Sequence, residues 1–186
     1  MRFEKIIISN YRQYESITLE FPKTTTTDLH VVIASNGIGK TNLLNSIDWC
    51  LYGEESHLGN KDDSLSICNL NTIDRAKASG SSHASVSVKI FAQEKDTSIQ
   101  FERTVLVNPN TLIPGIDKFQ VTITPSSGNT QILEGDAAVG LVDTYLPKKI
   151  KQYFFFDGEQ LYNYFGKSQD TSHVKDSIHE IAQINV

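Results

Sequence analysis

Apolar residues recur along this chain with two different periods, and the places where one gives way to the other mark out its elements. Residues 2–8 and 17–21 read as two strands, the second with Ile17, Leu19 and Phe21 alternating against Thr18 and Glu20. Between them Asn10-Tyr11-Arg12-Gln13-Tyr14 makes a polar turn. After a loop at residues 24–28, Leu29-His30-Val31-Val32-Ile33 is a short, nearly continuous apolar run, the pattern of a strand buried on both faces in a parallel sheet. From Lys40 the period changes: Leu43, Leu44, Ile47 and Leu51 recur at helical spacing, with Gly53 placed to end the helix in a left-handed cap. The apolar face of that helix is expected to pack on the sheet.

Residues 55–83 are rich in Ser, Asn, Asp and Gly and hold no sustained period, so they read as a long connection with room for a short helix. Period two then returns in Ala84, Val86, Val88 and Ile90, in Ile99 and Phe101 on to Val105, and in Phe119, Val121 and Ile123, which predicts a β-meander. Asp136 is placed to cap a helix running through Val139, Val142 and Leu146 to Pro147. Tyr153-Phe154-Phe155-Phe156 reads as a second buried strand ending at Asp157-Gly158, and Val174, Ile178 and Ile181 mark a last amphipathic helix. There is no internal repeat.

At 186 residues the chain is long enough for one domain with a sizeable core, and 39% hydrophobic against 21% charged residues suits a globular protein. A net charge of -5 argues against a surface that grips nucleic acid over most of its area, though it leaves room for a local basic patch. Cys50 and Cys68 lie in no CxxC or His-paired spacing, so neither a zinc site nor a disulfide framework is indicated, and Cys50 belongs in the core. The histidines are scattered, and no Ser-His-Asp set or paired-carboxylate site stands out. The start lacks the apolar region of a secretory signal and no stretch is apolar enough to span a bilayer, so the expectation is a cytoplasmic protein with no membrane partner.

The chemistry concentrates in Ala34-Ser35-Asn36-Gly37-Ile38-Gly39-Lys40-Thr41. A phosphate chain needs donors at close range on several sides, and glycines let a loop curve until successive N–H groups point inward. Gly37 and Gly39 supply that freedom, Lys40 is suited to reach the β- and γ-phosphates, and the Thr41 hydroxyl is suited to magnesium, with the helix dipole adding to the field. Ser35, Asn36, Ile38 and Asn42 complete the residues expected around a nucleotide. Ala34 stands where the usual pattern has glycine; at the end of a strand it need not adopt positive φ, so the loss is small. An apolar run before the loop and an apolar-faced helix after it are the context this motif requires. The expected class is therefore α/β, a P-loop NTPase with a mixed sheet, an antiparallel β-meander and flanking helices, binding ATP with Mg2+.

Three segments together are more specific than the loop. Phe3-Glu4-Lys5-Ile6 leading to Asn10-Tyr11-Arg12, the loop itself, and Trp49-Cys50-Leu51-Tyr52-Gly53 resemble the N-terminal half of an SMC-like ABC ATPase head, the family of RecF, RecN and the SMC-type repair ATPase that partners the Mre nuclease. Tyr153-Phe154-Phe155-Phe156-Asp157-Gly158-Glu159-Gln160-Leu161 resembles the corresponding segment of DndD-type ATPases from DNA phosphorothioation systems and of SMC-like subunits in anti-phage systems such as Lamassu. The resemblance implies a split head. Residues 1–170 are then its N-terminal lobe and residues 171–186 the root of a coiled coil, the plainer reading of that helix being the last one of a small domain. A C-terminal lobe would bring the signature, Walker B and switch histidine. The implied partners are that lobe, a second head in a homodimer, DNA, and a nuclease or other effector subunit.

The same resemblance sorts the remaining candidates. Four apolar residues before Asp157 also describe a Walker B strand, but Leu133-Glu134-Gly135-Asp136 is no signature motif, so the Q-loop reading is preferred. Asp157 then occupies the aligned place of the Q-loop glutamine and Gln160 lies three residues on; either is a candidate for magnesium or the attacking water, and a plain strand-end turn is the bland alternative. Lys40, Asp157 and Gln160 are the expected catalytic set, with Thr41, Asp157 and Gln160 toward the metal. Arg12 would by resemblance lie beside the phosphates, while sequence alone allows an exposed turn arginine. Arg75 and Lys77 are either a basic finger toward nucleotide or DNA or a solvated loop.

The implied activity is an ATPase with a composite site, in which ATP-driven head dimerisation and hydrolysis are coupled to DNA binding in repair, modification or anti-phage defence, this stretch alone being inactive or very weak. One alternative is a nucleotide-dependent assembly module with negligible hydrolysis. Another is a small autonomous P-loop NTPase; a guanine-reading Asn-Lys-x-Asp or an arginine-bearing lid, which such an enzyme would need, is not visible.

Overall fold

A computed structural model describes residues 1–23, 28–35, 37–55, 66–148 and 151. They fall in two compact units, Met1–Val139 and Gly140–Val186. The elements in chain order are β1 (Arg2–Tyr11), β2 (Tyr14–Glu20), α1 (Lys40–Tyr52), α2 (Leu70–Ala78), β3 (Ala84–Glu94), β4 (Thr97–Val107), β5 (Lys118–Pro125), β6 (Gln131–Glu134) and α3 (Gly135–Tyr145).

The strands form one sheet in the order β2-β1-β3-β4-β5-β6, with every neighbouring pair antiparallel. The period-two patterning explains its core. Residues paired directly across strands share a face, so Ile8, Val88, Arg103 and Phe119 lie in one row and Ile6, Ile90, Phe101 and Val121 in the next. All eight are buried. The other face is polar, with Lys89 pairing with Glu102 at 3.0 Å. This is the arrangement of an antiparallel sheet with one face packed and one in water.

Helix α1 covers the packed face. Cys50 is fully buried and its Sγ donates to the Val88 carbonyl at 3.3 Å, which bears out its place in the core. Arg103 reaches up from β4, donating from Nε to the Cys50 carbonyl at 3.0 Å, pairing with Asp117 and stacking 4.5 Å over the Phe119 ring. Gly53 closes the helix at φ 72, as its position predicted. The buried side of α1 is not the expected apolar stripe, however: Leu43, Leu44 and Ile47 are half-buried, while Asn45, Ser46, Asp48, Trp49, Cys50 and Leu51 are buried. The helix is hydrogen-bonded to β3 and β4 at Cys50, near its end.

The parallel strand expected at Leu29-His30-Val31-Val32-Ile33 is not formed. That segment has no strand pairing, and Leu29, Val31, Val32 and Ile33 are 79%, 70%, 49% and 91% exposed. An apolar run becomes a buried strand only where partners flank it, and among the described residues nothing pairs with this one. Its expected companion at residues 153–156 lies outside the described residues, as do residues 24–27, Asn36, Asp157, Gln160 and the helix expected at residues 171–186.

The long connection does hold a short helix, α2, capped by Asn69, whose side chain accepts from the Thr72 amide. A short edge strand, β6, was not anticipated from the pattern. Helix α3 starts at Gly135, in left-handed geometry at φ 56, so that Asp136 falls within its first turn rather than at the cap. There the carboxylate still favours the positive end of the helix dipole.

Candidate phosphate-binding site

The loop from Ala34 to Thr41 enters α1 directly. Gly37 and Gly39 have φ of +79° and +109°, a region that side chains rarely adopt, and Gly39 is the N-cap residue of the helix, with no side-chain cap. Ala34 keeps out of left-handed geometry, so its methyl group costs the loop nothing there. With Ser35, Gly37, Ile38, Lys40 and Thr41 all exposed, the loop is open to solvent at the dipole-positive end of a thirteen-residue helix. Lys40 folds back over the loop, its Nζ donating to the Ala34 and Ser35 carbonyls at 2.7 and 3.0 Å. An ammonium held at the mouth of such a loop is the arrangement that receives a phosphate.

The β1–β2 hairpin supplies contacts that the motif does not announce. Tyr14 donates its hydroxyl to the Gly39 carbonyl at 2.9 Å, and Gln13 donates from Nε2 to the Ile38 carbonyl at 3.3 Å. Asn42 donates from Nδ2 to Gln13 Oε1 at 2.5 Å. Burial raises the Tyr14 hydroxyl above its ordinary pKa, which keeps it a donor at neutral pH.

Arg12 goes elsewhere. It sits at the hairpin tip with φ +47°, and its guanidinium donates to Glu55 from Nε at 2.8 Å and from Nη2 at 2.6 Å. Tyr11, fully buried with its ring 5.8 Å from that of Trp49, donates its hydroxyl to the same Glu55. Burial, reinforced by the neighbouring carboxylate, raises the Tyr11 pKa, so this hydroxyl stays protonated. Burial works against the Arg12 charge, but Glu55 together with Tyr11 more than offsets it and the net shift is upward. The backbone joins in: Arg12 donates its amide to Ile67, and Asn69 donates its side-chain amide to the Arg12 carbonyl, both at 2.8 Å. A left-handed non-glycine residue persists where its surroundings over-determine it, and here they do. The described contacts of the Arg12 side chain are thus with Glu55 and not with the loop.

Of the basic-finger candidates, Arg75 is on α2 and pairs with Glu15 at 3.0 Å, and Lys77 is exposed in the last turn of the same helix. Gln13, Tyr14 and Glu55 are the residues that sequence reasoning missed; their contacts span 25 to 43 residues of chain, and no local pattern signals them. Among the described residues no helix is long and apolar enough to cross a membrane.

A glycine-shaped loop opening a helix, with lysine over it and the helix laid on a sheet, defines the P-loop NTPase fold. The comparisons narrow this. A family model described as an AAA domain matches residues 5–185, and the chain belongs to that family. It is similar to the DNA replication and repair protein RecF of Enterococcus faecalis, with 38% identity over 65 residues covering 35% of this chain and 16% of that one. The RecF proteins of Clostridium acetobutylicum and Acetivibrio thermocellus match at 35% and 32% over the same lengths. This chain therefore spans 16% of each of these relatives. A solved structure from work on ATP-driven dimerization and DNA stimulated activation of SMC ATPases matches with a TM-score of 0.56 at 14% identity, covering 97% of this chain and 99% of that one. The fold is that of an SMC-like ATPase head lobe.

Proposed function

We propose that the chain binds ATP with magnesium in the loop from Ala34 to Thr41 and works as the N-terminal lobe of an SMC-like ATPase head. The observation that supports this most is the pair of positive-φ glycines opening α1 with Lys40 at the mouth of the loop. Ser35, Asn36, Gly37, Ile38, Gly39 and Asn42 surround the phosphates, and Lys40 neutralises the β- and γ-groups as charge moves in the reaction. Thr41 is an exposed residue whose hydroxyl is a hard oxygen donor of the kind magnesium takes, and one of Asp157 and Gln160 would complete the metal and water side. Magnesium supplies charge neutralisation between phosphate oxygens when bound. Arg12 turns toward the phosphates only if it leaves Glu55.

Hydrolysis then belongs to a composite site. A C-terminal lobe with signature and Walker B motifs completes the head, and ATP is sandwiched between it and a second head of the same kind, so that binding drives dimerisation and hydrolysis releases it. Residues 171–186 would root the coiled coil that links the lobes. The names of the relatives support a role on DNA, in repair above all; modification or anti-phage defence, and a nuclease or other effector subunit, are finer versions that rest on the resemblance of residues 153–161.

Phosphoryl transfer depends on positioning and on electrostatic stabilisation of the moving group, so half a cage binds without efficient catalysis. Phosphate release by this chain is therefore expected to be negligible at every protein concentration and to appear when the missing lobe is added. Robust turnover that is first order in protein and lost in Lys40→Ala would replace the split head with an autonomous NTPase.

A further inference from the structure

Phosphate binding by backbone amides sets a condition on the carbonyls of the same loop. If the N–H groups face the anion, the C=O groups turn away from it and need donors of their own. The Ile38 carbonyl is met from outside the motif by Gln13 Nε2 at 3.3 Å, and the Gly39 carbonyl, which accepts the Leu43 amide of α1 at 2.9 Å, takes a second donor in the Tyr14 hydroxyl at 2.9 Å. Gln13 uses its other end as well, accepting from Asn42 Nδ2 at 2.5 Å. Its amide lies so close to Gly39 that a Cβ built there would fall 1.4 Å from Nε2. The space of the absent side chain is thus filled by the hairpin.

We infer that Gln13 and Tyr14 are positioning residues for nucleotide binding: the tip of the β1–β2 hairpin clasps the outward carbonyls of the phosphate loop and sets its anion-receiving shape before the ligand arrives. This rests on the reading of the loop as the ATP site. The clasp has a firm base, because Arg12 next to it is fixed by Glu55, Ile67 and Asn69. A side chain positions another group well only when its own support is rigid. Both clasp residues act through the loop backbone, so they differ from Lys40 and Thr41 in needing no contact with the nucleotide.

The clasp has a distinctive consequence. It changes the fraction of free protein whose loop is already competent, and apparent affinity scales with that fraction whichever nucleotide is added. Tyr14→Phe removes one neutral hydrogen bond and keeps the ring, which corresponds to a loss of roughly fivefold; Gln13→Ala removes two, a loss of up to roughly thirtyfold. ATP and ADP should weaken by the same factor. Amide hydrogen exchange at Gly37, Ile38, Gly39 and Lys40 should quicken in the nucleotide-free variants and return to the wild-type level with saturating ATP.

The test is calorimetric titration of the full chain and both variants with magnesium-ATP and magnesium-ADP, with exchange measured on the same samples. Matched losses for the two nucleotides with faster exchange in the free loop support the clasp. Wild-type affinity in both variants, while the unmodified chain binds ATP, overturns it and leaves the ATP site standing. No binding of ATP by the unmodified chain overturns the site itself. Should Gln13→Ala fail to fold, Tyr14→Phe decides alone, since it removes one hydroxyl group from an intact hairpin.

Discussion

Replacing Gly39 with alanine strikes the loop where backbone and packing demands coincide. Gly39 holds φ +109° and ψ 16°, and forcing an L-residue into so sparse a region costs about 1–3 kcal/mol. The new methyl group also displaces Gln13, whose amide occupies its place, with the loss of two hydrogen bonds worth about 1 kcal/mol each. The sum is about 3–5 kcal/mol, which lowers ATP affinity by about two to four powers of ten if the free loop relaxes to another shape. Gly37 provides the internal control. Its φ is +79° but a Cβ there meets nothing within 4 Å, so alanine incurs only the backbone cost of about 1–2 kcal/mol, about a tenfold loss. Calorimetry with magnesium-ATP on both variants, with circular dichroism to confirm the fold, measures the difference. Equal losses at the two glycines, or wild-type affinity in Gly39→Ala, would refute the reasoning.

Two other predictions concern the frame around the site. Arg103→Ala removes a charged donor from the Cys50 carbonyl and a stacked guanidinium from Phe119, and should cost about 3 kcal/mol in denaturant unfolding; a loss below about 1 kcal/mol would mean that Arg103 does not lock α1 to the sheet. Asp28, held by two hydrogen bonds from Arg2, has its carboxyl lowered from 3.8 to about 2. Because the folded value lies below the unfolded one, its stabilising contribution is complete above pH about 3.8 and disappears as pH falls through about 2. Carboxyl titration by NMR should find that low midpoint, and Arg2→Ala should raise it toward the ordinary one, with His30 at 3.2 Å keeping a smaller hold.

The sheet was legible because one buried face forces strict alternation: Val86, Val88 and Ile90 announce β3, and Ile99 and Phe101 announce β4. Helix α1 was legible through its spacing and Gly53, yet its buried side was not, since Asn45 and Asp48 are buried for reasons of tertiary placement that periodicity does not record. Arg103 likewise interrupts the apolar face: the alternation of Ile99, Phe101 and Val105 turns its position inward, while its residue type reads as outward. Four-residue β6 pairs, among the described strands, with β5 and is largely exposed, so no hydrophobic alternation marks it. Leu29, Val31 and Ile33 show the converse: apolar sequence specifies a wish for burial and says nothing about whether a partner strand lies alongside. At the site, Gly37, Gly39 and Lys40 were legible because a local backbone geometry demands them. Gln13, Tyr14 and Glu55 act across 25, 25 and 43 residues of chain, and contacts at that range leave no local trace.

Titration of magnesium-ATP into the chain and into Lys40→Ala, followed by calorimetry, bears most directly on the phosphate site. Lys40 is the cation at the loop mouth, and in the variant the β- and γ-phosphates lose a strong charge-assisted hydrogen bond. The unmodified chain should bind saturably and the folded variant should show no tight binding. Equal affinity in the two proteins would contradict the assignment of this loop as the ATP site.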